Sequence, residues 1–140
     1  MRFEAQTITI SGRKGNHHSI PAMVGMWEDS TPIGLAYHQC PYTYENDTPK
    51  MQPWYGLTHT ASGLSIGADE DVEDEAVARR WLELVASLVA WTQPAETFSE
   101  HAFFLREWVE AACWQAREEW HQQGKGVSGR TLPGVVILEK

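Results

Sequence analysis

The stretch WYGLTHTASGLSIG, residues 54–67, marks the point where the chain changes from strands to helices. Residues 54–59 and 64–66 have the composition of strands, and between them lies TASG, residues 60–63. Because the glycine that ends this turn can adopt a positive φ, the pattern predicts a β-hairpin. A long helical pattern follows directly, so we expect this hairpin to be the last one of a β-rich N-terminal half.

Upstream of this hairpin, three segments have the β-branched and apolar pattern of half-buried strands. They are residues 2–10, 20–27 and 33–39, separated by turns at 11–16 and 28–32. Residues 41–53 contain three prolines and predict a long loop.

Downstream, apolar residues recur at the 3.6-residue period of an amphipathic helix over residues 71–92. They are Val77, Trp81, Leu82, Leu84, Val85, Leu88 and Val89. Pro94 ends this first helix, and Thr97 with Glu100 forms a capping-box pattern that predicts the start of a second helix, which continues to Gln123. Its predicted core stripe is Leu105, Trp108, Val109, Ala112, Cys113, Ala116 and Trp120.

These elements predict a single α+β domain over residues 1–140. A mainly antiparallel sheet of five to six strands would pack against two consecutive C-terminal α-helices, in the order βββββααβ. The last strand would be the apolar run at residues 134–138. Cys40 and Cys113 lack the spacing of a disulfide scaffold, and no apolar run has the length of a membrane span. We therefore expect a cytoplasmic protein that makes no membrane contact.

The net charge of −8 is concentrated in the helical half. Residues 69–119 contain 13 acidic residues and four arginines, a net charge of −9, and the rest of the chain is close to neutral. Such a field repels phosphates and attracts basic surfaces, so we expect no direct contact with nucleic acid.

An acidic run at residues 69–75 opens this half: Asp69, Glu70, Asp71, Glu73, Asp74 and Glu75. Carboxylates in the first turn of a helix are stabilised by its dipole. Six of them in seven residues exceed that need, which leaves a partner-facing patch as a second interpretation. A divalent cation site is a third, although the spacing and glycine of an EF-hand loop are missing.

The second helix carries a mixed stripe on the side opposite its predicted core. Its members are Phe103, Glu107, Glu110, Trp114 and Glu118. Aromatic anchors among carboxylates suit a protein-binding surface. The same residues could instead pack under a loop, against the first helix, or against a second copy of the chain.

Candidate catalytic and metal-binding groups lie on the strands. His38 and Cys40 share one face of a strand, and with His59 they would offer ligands for zinc, although the four closely spaced ligands of a structural zinc site are missing. A hydrolytic interpretation uses Ser19, Ser62 or Cys40 as nucleophile, His59 as base and Asp47 to orient it, without a recognisable nucleophile motif.

The glycines offer no nucleotide site, because Gly12, Gly15 and the later GKGVSG of residues 124–129 lack the context of a phosphate loop. We therefore expect no catalytic residue, no metal and no cofactor.

The hairpin itself resembles one found in small uncharacterised phage and prophage proteins, often followed by a helix. The resemblance rests on Trp54, Leu57, Thr58, His59, Ser62, Gly63 and Leu64. It implies a mobile-element origin and no particular activity.

The resulting hypothesis is a non-enzymatic protein-binding domain. It would inhibit a host nucleic-acid-handling machine of the CRISPR type, in the host cytoplasm, by presenting acidic helices that compete with nucleic acid. The alternatives are a small metal-dependent or histidine-dependent enzyme and a structural homodimer.

Overall fold

The computed structural model describes residues 1–11, 17–45, 48–67 and 72–123. Five strands form one antiparallel sheet whose spatial order follows the sequence. They are β1 (Arg2–Ser11), β2 (His17–Met26), β3 (Pro32–Glu45), β4 (Thr48–His59) and β5 (Leu64–Ile66). The helices are α1 (Glu75–Val85), a 3-10 helix (Ala95–His101) and α2 (Ala102–Gln122). The predicted α+β class is confirmed, whereas the predicted sixth strand at 134–138 lies outside the described residues.

The sheet is curled, and its two ends meet. The backbone N–H of Ser11, at the end of β1, donates to the carbonyl of Gly63 in the β4–β5 turn at 2.8 Å. The Ser11 hydroxyl donates to the carbonyl of Ser62 at 3.0 Å. The first bond gives a backbone N–H at the edge of β1 a partner that an open sheet would not supply, and the second ties the Ser11 side chain to the same turn.

Both faces of the curled sheet carry buried apolar residues. One face packs against α1 and α2, and its core includes Leu35, Leu57, Trp81, Leu82 and Trp91. The other face holds a second cluster formed mainly by alternate residues of β1 and β2. That cluster consists of Ile8, Ile10, Ile20, Ala22, Val24, Met26 and Ala36. The period-two alternation of these strands therefore serves two separate cores.

The predicted loop at residues 41–53 is wrong, because β3 and β4 extend through most of it as a hairpin. The register of β2 with β3 covers only residues 32–37 of β3, so the outer part of the hairpin pairs only β3 with β4. A proline on such an open edge leaves no ladder partner unsatisfied. Pro41 lies at a register shift, where the pairing is already irregular.

The predicted first helix is too long at both ends: α1 covers Glu75–Val85. The indole Nε1–H of Trp91 donates to the carbonyl of Val85 at 2.7 Å and takes one of the acceptors at the helix end. Trp91 is 2% exposed. The apolar periodicity of residues 77–89 would continue the helix beyond Val85. The helix ends there instead, because the chain turns to bury the Trp91 ring.

The capping box at Thr97 does not start the second helix. Thr97 lies inside the 3-10 helix, where its N–H donates to the carbonyl of Pro94 at 3.0 Å. The tighter winding places Phe98 against the rings of His59 and Trp91, with centroid separations of 5.7 and 5.6 Å.

Within the described residues, no helix combines the length and hydropathy of a membrane span.

The approach of the α1–α2 connection to β3 depends on Gly34. This residue has φ of +99°, and a Cβ atom there would lie 2.6 Å from the backbone carbon of Trp91.

We expect Gly34→Ala to lower the free energy of unfolding by about 3 kcal/mol or more, because backbone strain adds to a clash with main-chain atoms. Urea denaturation measures this loss.

Gly25→Ala is the matched control. Its Cβ would lie 3.0 Å from the side-chain ends of Ile33 and Leu82, which can rotate, and 3.6 Å from the carbonyl oxygen of Leu35, an ordinary contact distance. We expect a loss of about 1 kcal/mol for this variant. Equal losses in the two variants would contradict the role of Gly34.

Candidate protein-binding surface

Three large aromatic side chains lie exposed at the start of α2. Phe103, Phe104 and Trp108 are 66%, 56% and 52% exposed. Phe104 contacts Phe103 with ring centroids 5.7 Å apart and Trp108 at 6.5 Å. We call these three residues the aromatic triad. Their contacts join three exposed side chains into one apolar surface.

The prediction that Trp108 belongs to the core is wrong. α2 enters the core through a narrow stripe formed by Leu105, Val109, Cys113 and Ala116. Trp108 lies at the edge of that stripe and one helical turn from Phe104, so it pairs with Phe104 instead. Phe104 belongs neither to the predicted core stripe nor to the predicted mixed stripe of the second helix. Its spacing of four residues from Trp108 was a usable signal, because side chains four apart on a helix contact each other.

The predicted mixed stripe divides into an open part and a covered part. Phe103 and Glu107 are exposed and Glu110 is half-buried. Farther along, the guanidinium of Arg117 lies 5.3 Å from the ring of Trp114, which is half-buried. These differences limit the candidate surface to the first turns of α2.

Glu118, predicted as a partner-binding residue on the outer side of the helix, is buried in the folded chain. Its side chain is 8% exposed and accepts a hydrogen bond from the amide of Gln122 at 3.2 Å. The neighbouring Glu119 is the acid that reaches another element, because its carboxylate binds Arg80 of α1 at 2.7 Å. That contact lowers the pKa of Glu119 and fixes α1 against α2.

Carboxylates surround the aromatic triad. Glu100 and Glu107 are exposed, and within the described ranges they form no ion pair. Glu110 binds Arg106 one turn away at 3.4 Å. An apolar surface with unneutralised carboxylates at its border favours a partner that is itself positively charged.

The acidic run is only partly described. Asp69, Glu70 and Asp71 lie outside the described residues. Glu73 is exposed, and Asp74 occupies the N-cap position of α1 without a side-chain capping bond. Asp74 and Glu75 act on Tyr55 of β4: burial is the largest cause that raises the pKa of this phenol, and the two carboxylates raise it further. Asp74 and Glu75, from the described part of the run, therefore lie close to tyrosines of the sheet.

The three residues considered for zinc do not come together. The ring of His38 binds the Thr58 hydroxyl, whereas the ring of His59 points to the opposite face of β4 and binds the carbonyls of Trp91 and Gln93. Cys40 packs over Gly56, where an added Cβ would lie 2.9 Å from its Sγ atom. Throughout the part of the chain that the structure describes, no three His, Cys, Asp or Glu side chains group as metal ligands.

One pair from the hydrolytic interpretation does come together. The Ser62 Oγ lies 2.7 Å from Nδ1 of His59. The Nε2 atom lies 2.6 Å and 2.9 Å from the carbonyls of Trp91 and Gln93, so it carries the hydrogen and donates to both. Ser62 also accepts from the N–H of Leu64 at 3.2 Å. His59 is 3% exposed, and its bonds hold the turn to the α1–α2 connection. Asp47 lies outside the described residues, and Ser19 is exposed on β2.

Comparison of the chain with protein-family models, with curated proteins and with solved structures finds no match.

His38 gives a test of the sheet interior. Its Nδ1 donates to the carbonyl of Gln39 at 2.9 Å, and its Nε2 accepts from the Thr58 hydroxyl at 2.6 Å. Burial lowers the pKa of the ring below its ordinary value of 6.5, and the bond to Gln39 only partly opposes this. Below pH 6.5 the unfolded chain therefore binds a proton that the folded chain resists.

We expect the free energy of unfolding to fall as the pH is lowered through about 6.5, by up to about 1.4 kcal/mol per pH unit for this single proton. Chemical denaturation between pH 7 and pH 5 measures the slope. His38→Gln should flatten it, whereas His17→Gln, at an exposed position of β2, should leave it unchanged. An unchanged slope in His38→Gln would contradict this assignment.

Proposed function

We propose that the chain is a non-enzymatic protein-binding domain whose aromatic triad docks onto a basic protein surface. The observation that carries the proposal is the mutual contact of Phe103, Phe104 and Trp108, each more than half exposed on one helix. Burying one such side chain contributes about 1.5–3 kcal/mol. A partner that covers all three gains a hot spot of the kind that dominates binding energy.

Charge selects the partner. Residues 72–123 contain ten carboxylates and four arginines. Each arginine is engaged within the fold: Arg79 with Glu75, Arg80 with Glu119, Arg106 with Glu110, and Arg117 with the ring of Trp114. Acidic groups are therefore in surplus in this helical half, and a basic partner surface would supply the missing cations.

A basic surface that binds an acidic domain is commonly one that binds nucleic acid. We therefore propose that the domain competes with nucleic acid for a host nucleic-acid-handling machine. The CRISPR type is our specific candidate, motivated by the resemblance of the β4–β5 hairpin to phage and prophage proteins. The region with net negative charge would occupy the site that phosphates otherwise fill.

The combined variant Phe103→Ala, Phe104→Ala, Trp108→Ala tests the proposal. Partners captured from a host lysate are identified by mass spectrometry, and the affinity of the purified partner is then measured by calorimetry. We expect a loss of about 100-fold or more in affinity with little change in stability, because all three side chains are exposed. Trp27→Ala, at an exposed tryptophan in the β2–β3 turn, is the control that should bind as the wild type does.

A charge-reversal variant distinguishes the electrostatic attraction of the partner from the apolar contacts of the aromatic triad. We expect Glu107→Lys to weaken binding and to reduce its dependence on salt, because one attractive charge becomes repulsive. Glu28→Lys is the control: this glutamate lies in the β2–β3 turn, its side chain is 92% exposed, and it pairs with the N-terminal ammonium at 3.7 Å. A partner that nucleic acid fails to displace would overturn the competition with nucleic acid. If the wild-type chain is a dimer and the combined variant is a monomer, the aromatic triad is a homodimer contact, and the docking proposal is overturned.

A further inference from the structure

A cleft of about 440 Å³ opens on the helix-covered side of the sheet, beside the first turn of α1. Its lining includes Met23, Tyr37, Gln39 and Tyr55 from the strands and Glu75 from α1. This volume lies within the range of small-ligand sites. The cleft is on different elements from the aromatic triad, so it can have a binding activity of its own.

A row of aromatic rings runs along this part of the sheet. The ring of Tyr37 contacts Phe3 at 5.5 Å and Tyr55 at 6.2 Å, both edge to face. At one end of the row, the guanidinium of Arg79 lies over Phe3 at 5.1 Å and donates to the Tyr37 hydroxyl at 3.0 Å. One end of the row is thus already covered by a cation of the chain itself.

The other end of the row lacks such a cation. Tyr55 is half-buried, and in the described parts of the chain no guanidinium or ammonium group lies over its ring. The face of an aromatic ring attracts cations through its quadrupole, and a planar guanidinium can also stack on it. Tyr55 therefore offers the same kind of surface that Arg79 uses on Phe3.

Glu75 supplies negative charge to the cleft. One of its carboxylate oxygens, Oε2, accepts a hydrogen bond from the Tyr37 hydroxyl at 2.7 Å and lies 4.0 Å from Arg79. The other oxygen, Oε1, has no hydrogen bond among the described residues, and the side chain is about half exposed. Burial is the largest cause of the raised pKa of Tyr55, and the further rise from Glu75 and Asp74 agrees with a negative potential at this ring.

We propose that this cleft binds a guanidinium or ammonium group on an alkyl stem, with Tyr55 against the cation and the free oxygen of Glu75 as its anionic partner. An anionic ligand would be repelled by Glu75 and Asp74. A neutral ligand that covered the cleft without donating a hydrogen bond would leave the Oε1 atom of Glu75 unpaired. The exposed amide of Gln39 at the lining of the cleft offers a further acceptor for a ligand N–H.

Matched ligands test the charge requirement. N-acetyl-arginine amide represents a residue of a basic peptide, agmatine represents a free small amine, and N-acetyl-citrulline amide is the neutral control of similar shape. We expect at least one of the two cations to bind with a millimolar or tighter Kd, as followed by NMR shifts of residues around Tyr55. The citrulline compound should bind at least tenfold more weakly. Equal binding of citrulline, or no binding of either cation, would overturn the proposal.

Glu75→Gln tests the site itself, because glutamine can still accept from the Tyr37 hydroxyl while the charge is removed. We expect at least a tenfold weaker Kd for the cation. Glu83→Gln on the same helix, which removes a carboxylate that pairs with Arg80, should leave the Kd unchanged. Thermal unfolding confirms that both variants are folded. Unchanged binding in Glu75→Gln would overturn the proposal, and the aromatic triad variant should bind the cation as the wild type does.

Discussion

The buried ring of His59 joins two parts of the chain that are distant in sequence. Its Nδ1 atom is bound to Ser62 in the β4–β5 turn, and its Nε2 atom donates to the carbonyls of Trp91 and Gln93 between α1 and the 3-10 helix. Because a buried carbonyl without a partner costs free energy, these bonds fix where the connection crosses the sheet. The start of α2, and with it the position of the aromatic triad, follows from that crossing point.

Two buried tryptophans set the space that remains for α2. The indole N–H of Trp81 donates to the carbonyl of Val109 at 2.8 Å, and that of Trp91 donates to Val85. Both rings fill the layer between sheet and helices and have their polar atoms satisfied. α2 consequently packs through the small and medium side chains of one stripe. The bulky rings of Phe103, Phe104 and Trp108 remain outside, where they can contact a partner.

The structure combines aromatic and acidic groups in two places that differ in shape. On α2 the rings of Phe103, Phe104 and Trp108 lie exposed on the helix surface, where we propose that a protein docks. Beside α1 the rings of Tyr37 and Tyr55 line a concave cleft of small-ligand size. In both places the carboxylates outnumber the arginines: Glu100, Glu107 and Glu110 against Arg106 beside the aromatic triad, and Asp74 and Glu75 against Arg79 beside the cleft. We therefore propose that both the docking surface and the cleft prefer cationic ligands, although they are formed by different residues.

The sequence by itself determined the α+β class, the turns near residues 28–32 and 60–63, and most of the buried face of α1, because alternation and helical period are local properties. The tertiary structure decided where elements end: the open edge of the β3–β4 hairpin accepts prolines, and the burial of Trp91 ends α1 early. It also placed His38 and His59 on opposite faces, since strand register depends on pairing between distant residues. Finally, it excluded Trp108 from the core, because periodicity locates the centre of a helix face and only the packed neighbours determine its width.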